Sequence, residues 1–131
     1  MTQQVQGYFQ IDEWNETAYS ERESGEKQSH AKIKQTYHGD VAGESSLQYL
    51  MAYQSPSSAV FVGFETVTAT LAGKSGQFIL QHTGTFENGV ASSHFTIVTG
   101  SGTEQLVGIT GQGSFKSTEG GKADYQFSYV M

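Results

Sequence analysis

The chain has 131 residues, a formal net charge of -6, 16 glycines, one proline and no cysteine. Its length points to one domain, residues 1–131, large enough to bury a core without disulfides. Thirteen Asp and Glu against seven Lys and Arg argue against a nucleic-acid partner, and the lack of thiols excludes a disulfide framework, a cysteine nucleophile and a cysteine-based zinc site.

Polar and apolar residues alternate with period two almost from the start, the pattern of half-buried strands. Val5, Gly7, Phe9 and Ile11 alternate with Gln6, Tyr8, Gln10 and Asp12 in a first strand. The polar stretch Asn15 to Ser29 reads as a loop. A second strand sets Ile33, Gln35 and Tyr37 on one face and Lys32, Lys34 and Thr36 on the other. Gly39 to Gly43 turns the chain into a third strand, Ser45 to Tyr53, and Ser55-Pro56-Ser57-Ser58 turns it again. The run Ala59 to Leu71 is about 40 Å long at ~3.3 Å per residue, so it should bend, and Gly63 is the candidate bulge. After Gly73 to Gly76 comes Gln77 to Glu87, closed by Asn88-Gly89, the strongest hairpin signal in the chain. Ala91 to Thr99, Gln105 to Phe115 and Lys122 to Met131 complete about eight strands. No apolar run approaches the ~20 residues of a membrane helix, and no basic, apolar leader follows Met1. The default expectation is a soluble, cytoplasmic protein with no membrane partner.

Hairpin geometry fixes which side chains share a face, because directly opposed residues point the same way. A two-residue Asn88-Gly89 turn sets His82 opposite Phe95 and gives one face Phe78, Leu80, His82, Gly84, Phe86, Ala91, Ser93, Phe95 and Ile97. The Gly73 to Gly76 turn sets Leu71 opposite Phe78, Val67 opposite His82 and Glu65 opposite Gly84. Both turns therefore aim Glu65 and His82 into the same apolar interior, one diagonal step apart. In the third strand a five-residue loop points Leu47, Tyr49, Met51 and Tyr53 inward and a four-residue loop points Gln48, Leu50 and Ala52 inward; the first is preferred, because it sets Tyr49 over Gly63. The last strand adds Tyr125, Phe127 and Tyr129. Val60, Val62 and Phe64 form an outward apolar stripe, which reads either as a homo-oligomer interface or as a surface covered by the Asn15–Ser29 segment.

Several stretches carry a resemblance. They are Trp14, Tyr19 and Gly25; Tyr49-Leu50-Met51-Ala52-Tyr53; Phe61-Val62-Gly63-Phe64-Glu65; the run Gly76 to Phe86; and Gly100 to Gly111. Together they resemble a family of small bacterial proteins known as a domain of unknown function. The resemblance spans nearly the whole chain and implies the barrel of allene oxide cyclases and dirigent proteins. The fold expected is all-β: an antiparallel meander barrel of about eight strands, allene oxide cyclase-like or calycin-like. The family brings no established activity with it.

A carboxylate and an imidazole inside an apolar barrel suit acid–base work, because burial and pairing move their proton affinities; the same two groups also serve as a buried pair that fixes strand register. Ligand-binding candidates are Glu65, His82, Tyr49, Tyr53, Tyr125, Tyr129 and Trp14, the tyrosines as aromatic walls with hydroxyl tips and Trp14 as a lid or plug at one mouth. Tyr37 also points inward. Ser92, Ser93 and His94 do not converge, because alternate residues face opposite ways. Of four histidines only His82 points in, so no metal is expected, and the glycines match no nucleotide-binding pattern, so no cofactor is. Three functions follow: a binding barrel for a small apolar or aromatic molecule, an isomerase or cyclase that steers a substrate by cavity shape, or a structural oligomer with a filled core.

Overall fold

The period-two alternation becomes eight antiparallel strands closed into a barrel in chain order in a computed structural model that describes residues 2–131. The strands are β1 (Gln3–Glu21), β2 (Lys27–Gly39), β3 (Val41–Ser55), β4 (Ser58–Leu71), β5 (Lys74–Glu87), β6 (Val90–Ile97), β7 (Thr110–Ser117) and β8 (Lys122–Val130). Closure runs through β1, where Phe9 lies opposite Tyr37 of β2 and Val5 lies opposite Phe127 of β8. The interior is packed with Phe9, Ile33, Leu47, Phe61, Val67, Phe78, Leu80, Phe95 and Phe127, each large aliphatic or aromatic side chain contributing about 1.5–3 kcal/mol on burial. Among the described residues no helix is long and apolar enough to cross a membrane.

The Asn88-Gly89 hairpin forms as expected, with φ of 50° and 85° at its two turn residues and His82 opposite Phe95. The β4–β5 turn differs. It consists of Ala72 and Gly73 alone, also at positive φ, so Leu71 faces Lys74 and Phe78 faces Val67. The slip is an even number of residues and leaves every side chain on its expected face. Glu65 remains one diagonal step from His82, reached now from the Gly63 side.

Gly63 is not a bulge. Pairing runs unbroken from Tyr49 through Gly63 to His82. A Cβ there would lie 2.0 Å from the Gln48 carbonyl oxygen and 2.8 Å from Tyr49 Cδ1, so glycine is needed to seat the Tyr49 ring. The bend sits in β1 instead, at irregularities between Ile11 and Glu13 and between Ala18 and Ser20. The Asn15–Ser29 stretch is accordingly mostly strand: β1 continues to Glu21 and pairs with β2 as far as Lys27, so that only residues 22–26 form a turn. Nor does it cover the outward stripe. β1 neighbours β2 and β8, and Val60, Val62 and Phe64 stay exposed on β4.

The seventh strand also starts later than the alternation suggests, at Thr110 rather than Gln105. Residues Glu104–Leu106 form a 3₁₀ turn, and the segment before it runs beside the half of β5 that β6 is too short to reach. Thr103 N donates to the Gln77 carbonyl (2.9 Å), Ile79 N donates to Ser101 Oγ (3.0 Å) and Ser75 N donates to Gln105 Oε1 (2.8 Å). These bonds satisfy backbone groups that would otherwise lack partners. Leu106 and Ile109, fully buried, close this end of the barrel. The other end stays open.

Candidate functional site

Midway along the barrel Glu65 and His82 meet, each 1% exposed. His82 Nε2 lies 2.6 Å from Glu65 Oε1, while Glu65 Oε2 accepts from Tyr37 OH at 2.6 Å and from Gln35 Nε2 at 3.2 Å. The second imidazole nitrogen, Nδ1, lies 2.7 Å from Ser93 Oγ, whose own hydrogen goes to the His94 carbonyl at 3.1 Å. Both imidazole nitrogens are thus partnered, Nδ1 by the Ser93 hydroxyl and Nε2 by the Glu65 carboxylate. Burial pushes the Glu65 carboxyl up, but the hydrogen bond and positive charge of His82, with bonds from Ser45 and Tyr37, outweigh it and hold the group below the usual carboxylate range. Burial and the Glu65 charge raise the Tyr37 and Tyr49 hydroxyls well above the ordinary tyrosine value. The imidazole is boxed by the rings of Tyr49, Phe95 and Phe115, at centroid distances of 5.6, 5.2 and 5.6 Å. Among the described residues no buried side-chain nitrogen or oxygen lacks a partner.

Directly above this layer is a cavity of about 350 Å³, within the ~300–1,000 Å³ range of small-molecule sites. Phe9, Met51, Phe61, Phe86 and Phe115 form its walls, and Gln35, Tyr49, Tyr53, Trp14 and Glu16 supply its polar points. Gln35, Tyr49 and Phe115 belong to both layers and make the floor. At the rim, Glu16 accepts from Ser29 Oγ and Tyr53 OH on Oε2 and from Trp14 Nε1 on Oε1. Burial raises the Tyr53 hydroxyl to about 12, assisted by its bond to Glu16 and by the Glu16 charge.

The candidates read from sequence thus separate into three levels. Trp14, Tyr49 and Tyr53 line the cavity. Glu65 and His82 lie beneath its floor, joined to each other and screened from it by Gln35, Tyr49 and Phe115. Tyr125 and Tyr129 are buried lower still, and Tyr125 OH bonds the Val41 amide at 2.9 Å and the His38 carbonyl at 2.9 Å. Ser92 and His94 face out while Ser93 faces in, and the inward hydroxyl finds His82 as its partner. That places Ser93, His82 and Glu65 in the order of a nucleophilic triad. Ser93 nonetheless donates its hydrogen to backbone and is absent from the cavity wall, so it anchors the ring. Among the described residues no three His, Asp or Glu side chains gather as a metal site.

Two groups escaped the sequence reading. Gln35 was placed inward without a role, although a glutamine among buried aliphatic neighbours signals a buried acceptor. Glu16 falls in the polar stretch whose composition reads as a loop. The irregularity after Ile11 adds one residue and resets the alternation, so Trp14 falls opposite Ile33 and Glu16 opposite Ala31, both inward positions of β2.

Fold and site define a small, closed, eight-stranded antiparallel barrel, plugged at one end and hollow at the other. A family model described as "Protein of unknown function (DUF3224)" matches residues 5–129, and the chain belongs to that family. It is also similar to the crystal structure of a protein of unknown function from the DUF3224 family of Shewanella oneidensis MR-1. The two chains are 27% identical with a TM-score of 0.79, over 100% of this chain and 98% of the other. No curated protein matches the chain.

Proposed function

We propose that the barrel binds a small apolar or aromatic molecule in the cavity at its open end. The observation that carries this reading is the hollow itself: about 350 Å³ walled by phenylalanines and methionine, in a barrel whose other half is filled solid. The ligand is gripped by Tyr49, Tyr53 and Trp14, and Gln35 offers it a hydrogen bond. Glu65 and His82 act from below as positioning residues that fix Gln35 and Tyr49. A cyclase or isomerase working through Glu65 and His82 would need one of them open to the substrate. The saturated Glu65–His82 pair offers neither, which favours binding over turnover. The test is titration with the neutral fluorescent probe N-phenyl-1-naphthylamine. Saturable, blue-shifted emission is expected, and Ala91→Phe, which fills the cavity from its wall, should abolish it without altering the circular dichroism. Emission that does not saturate, or that survives Ala91→Phe, would overturn the reading.

A second proposal concerns the outside of the barrel. Leu50, Val62 and Thr83 lie side by side across β3, β4 and β5, flanked by the rows Gln48, Phe64, Gln81 and Ala52, Val60, Thr85. None of these nine residues is charged, in a chain of net charge -6. We propose that a second copy of the chain packs here, where self-repulsion is least. Sedimentation should show a species larger than one chain that Phe64→Lys returns to the monomer; a monomeric wild type at micromolar concentration refutes it.

A further inference from the structure

The rim holds a group that a wholly apolar ligand would leave unused. Glu16 points inward at the mouth, half-buried, and it is ionised. Burial pushes its carboxyl up, but bonds from Ser29, Trp14 and Tyr53, together with the charge of Lys27, bring it below the ordinary value. Two of those donors share Oε2, Ser29 Oγ at 2.5 Å and Tyr53 OH at 2.9 Å, whereas Oε1 accepts only Trp14 Nε1 at 3.0 Å. A carboxylate has roughly four lone-pair positions, so Oε1 retains one.

The surroundings suit a cation. The Trp14 and Tyr53 rings that flank the carboxylate both line the cavity, and their faces attract positive charge. One ammonium is already drawn there: Lys27 Nζ lies 4.6 Å from the centre of the Tyr53 ring. The turns and strand ends around this mouth carry Glu21, Glu23, Glu26, Glu87 and Glu119 against Lys27, Lys122, whose ammonium lies over the Tyr8 ring, and Arg22, which is taken up by Glu26 at 3.2 Å. The field at the opening is therefore negative, and it favours the approach of a cation over that of an anion.

We propose that the natural ligand is an apolar or aromatic amine, its hydrocarbon part in the cavity and its protonated nitrogen against Glu16 Oε1 between Trp14 and Tyr53. This rests on the cavity reading above and adds the headgroup to it. In this arrangement Lys27, whose ammonium lies over the Tyr53 ring without an ion pair to Glu16, competes electrostatically with the ligand for the same ring and carboxylate. Removing it should tighten amine binding, an effect opposite in sign to the loss expected when a contact residue is deleted.

Three probes of one shape separate the possibilities at pH 7: 1-naphthylmethylamine as the ammonium, 1-naphthylmethanol as the neutral form and 1-naphthoate as the anion, each titrated calorimetrically into the intact protein. The ammonium should bind at least about tenfold tighter than the alcohol, the worth of one charge-assisted hydrogen bond, and the anion weakest. Glu16→Gln should erase the preference, bringing ammonium affinity down to that of the alcohol measured on the same variant. Lys27→Met, at a partly exposed position, should raise ammonium affinity severalfold and leave the alcohol alone. If Glu16→Gln does not fold, the Lys27→Met result decides. Alcohol binding as tight as ammonium binding overturns the headgroup proposal and leaves the cavity reading standing, and tighter binding of the anion does the same by assigning the head to Lys27. If no probe binds, both readings fall.

Discussion

Replacing His82 with phenylalanine tests the buried pair at its most exposed assumption, that it is ionic. The ring remains but its nitrogens are gone. Tyr37 and Gln35 still donate to Glu65 Oε2, whereas Oε1 loses its hydrogen-bond donor at a site 1% exposed. Ser93 keeps the His94 carbonyl, so no second orphan forms. Breaking a buried ion pair by removing one partner costs about 3–5 kcal/mol, a large part of the ~5–15 kcal/mol that holds a domain together. With a urea dependence of about 1–3 kcal/mol per molar, the unfolding midpoint should fall by roughly 2 M. Adding Glu65→Gln removes the stranded charge, so the double variant should recover at least ~2 kcal/mol over His82→Phe alone. Urea denaturation followed by circular dichroism reads both numbers. A loss below about 1 kcal/mol for His82→Phe, or a second substitution that merely adds its own cost, would refute an ionised pair. The pH dependence gives an independent check. Glu65 titrates below its unfolded value, so its stabilisation is complete above the unfolded carboxylate value of about 4.3 and is lost as pH falls through the lower folded one. The stability gap between wild type and Glu65→Gln should therefore persist at neutral pH and close below about pH 4.

Two other perturbations probe the frame around the site. Gly63→Ala should cost at least ~2–3 kcal/mol, because the new methyl would meet the Gln48 carbonyl oxygen at 2.0 Å and the Tyr49 ring at 2.8 Å; thermal unfolding within a degree or two of wild type would contradict the close approach. Leu106→Ala should cost about 2–5 kcal/mol and speed amide exchange at Val98, Thr103 and Ile109, whose backbone bonds hold the plug in place. Uniform exchange across the barrel would argue against a separable plug.

Much of the interior was legible from sequence because alternation and two hairpin turns each constrain parity, and parity survives errors of register. The β4–β5 turn shows this well: the pairing slipped, yet Glu65 and His82 still meet, since an even slip cannot move a side chain to the other face. An odd irregularity is different. One extra residue near Asp12 leaves no strong mark in a stretch already rich in Asn, Glu and Thr, so Glu16 and the continuation of β1 were hidden. The plug was hidden for another reason. Gln105 to Phe115 keeps enough alternation to pass for strand, and only the need to satisfy the uncovered half of β5 draws residues 98–106 across the barrel end. The depth of each inward side chain was equally out of reach. Facing is a local property, whereas height along the barrel axis depends on how strands stagger around the whole ring, and that stagger is what sets Tyr125 and Tyr129 below the hollow and Trp14 beside it.

The extra residue near Asp12 divides β1 in two. The seam between Gln3–Gln10 and β8 lies wholly on one side of it and the Trp14–Glu16 rim on the other. Deleting a single codon there would turn Trp14, Glu16 and Ala18 out to water and swing Glu13, Asn15 and Thr17 into the opening, with the filled half of the barrel undisturbed. Chain length at that one point is thus a dial by which descendants of this barrel can change the lining of its mouth without rebuilding what keeps them folded.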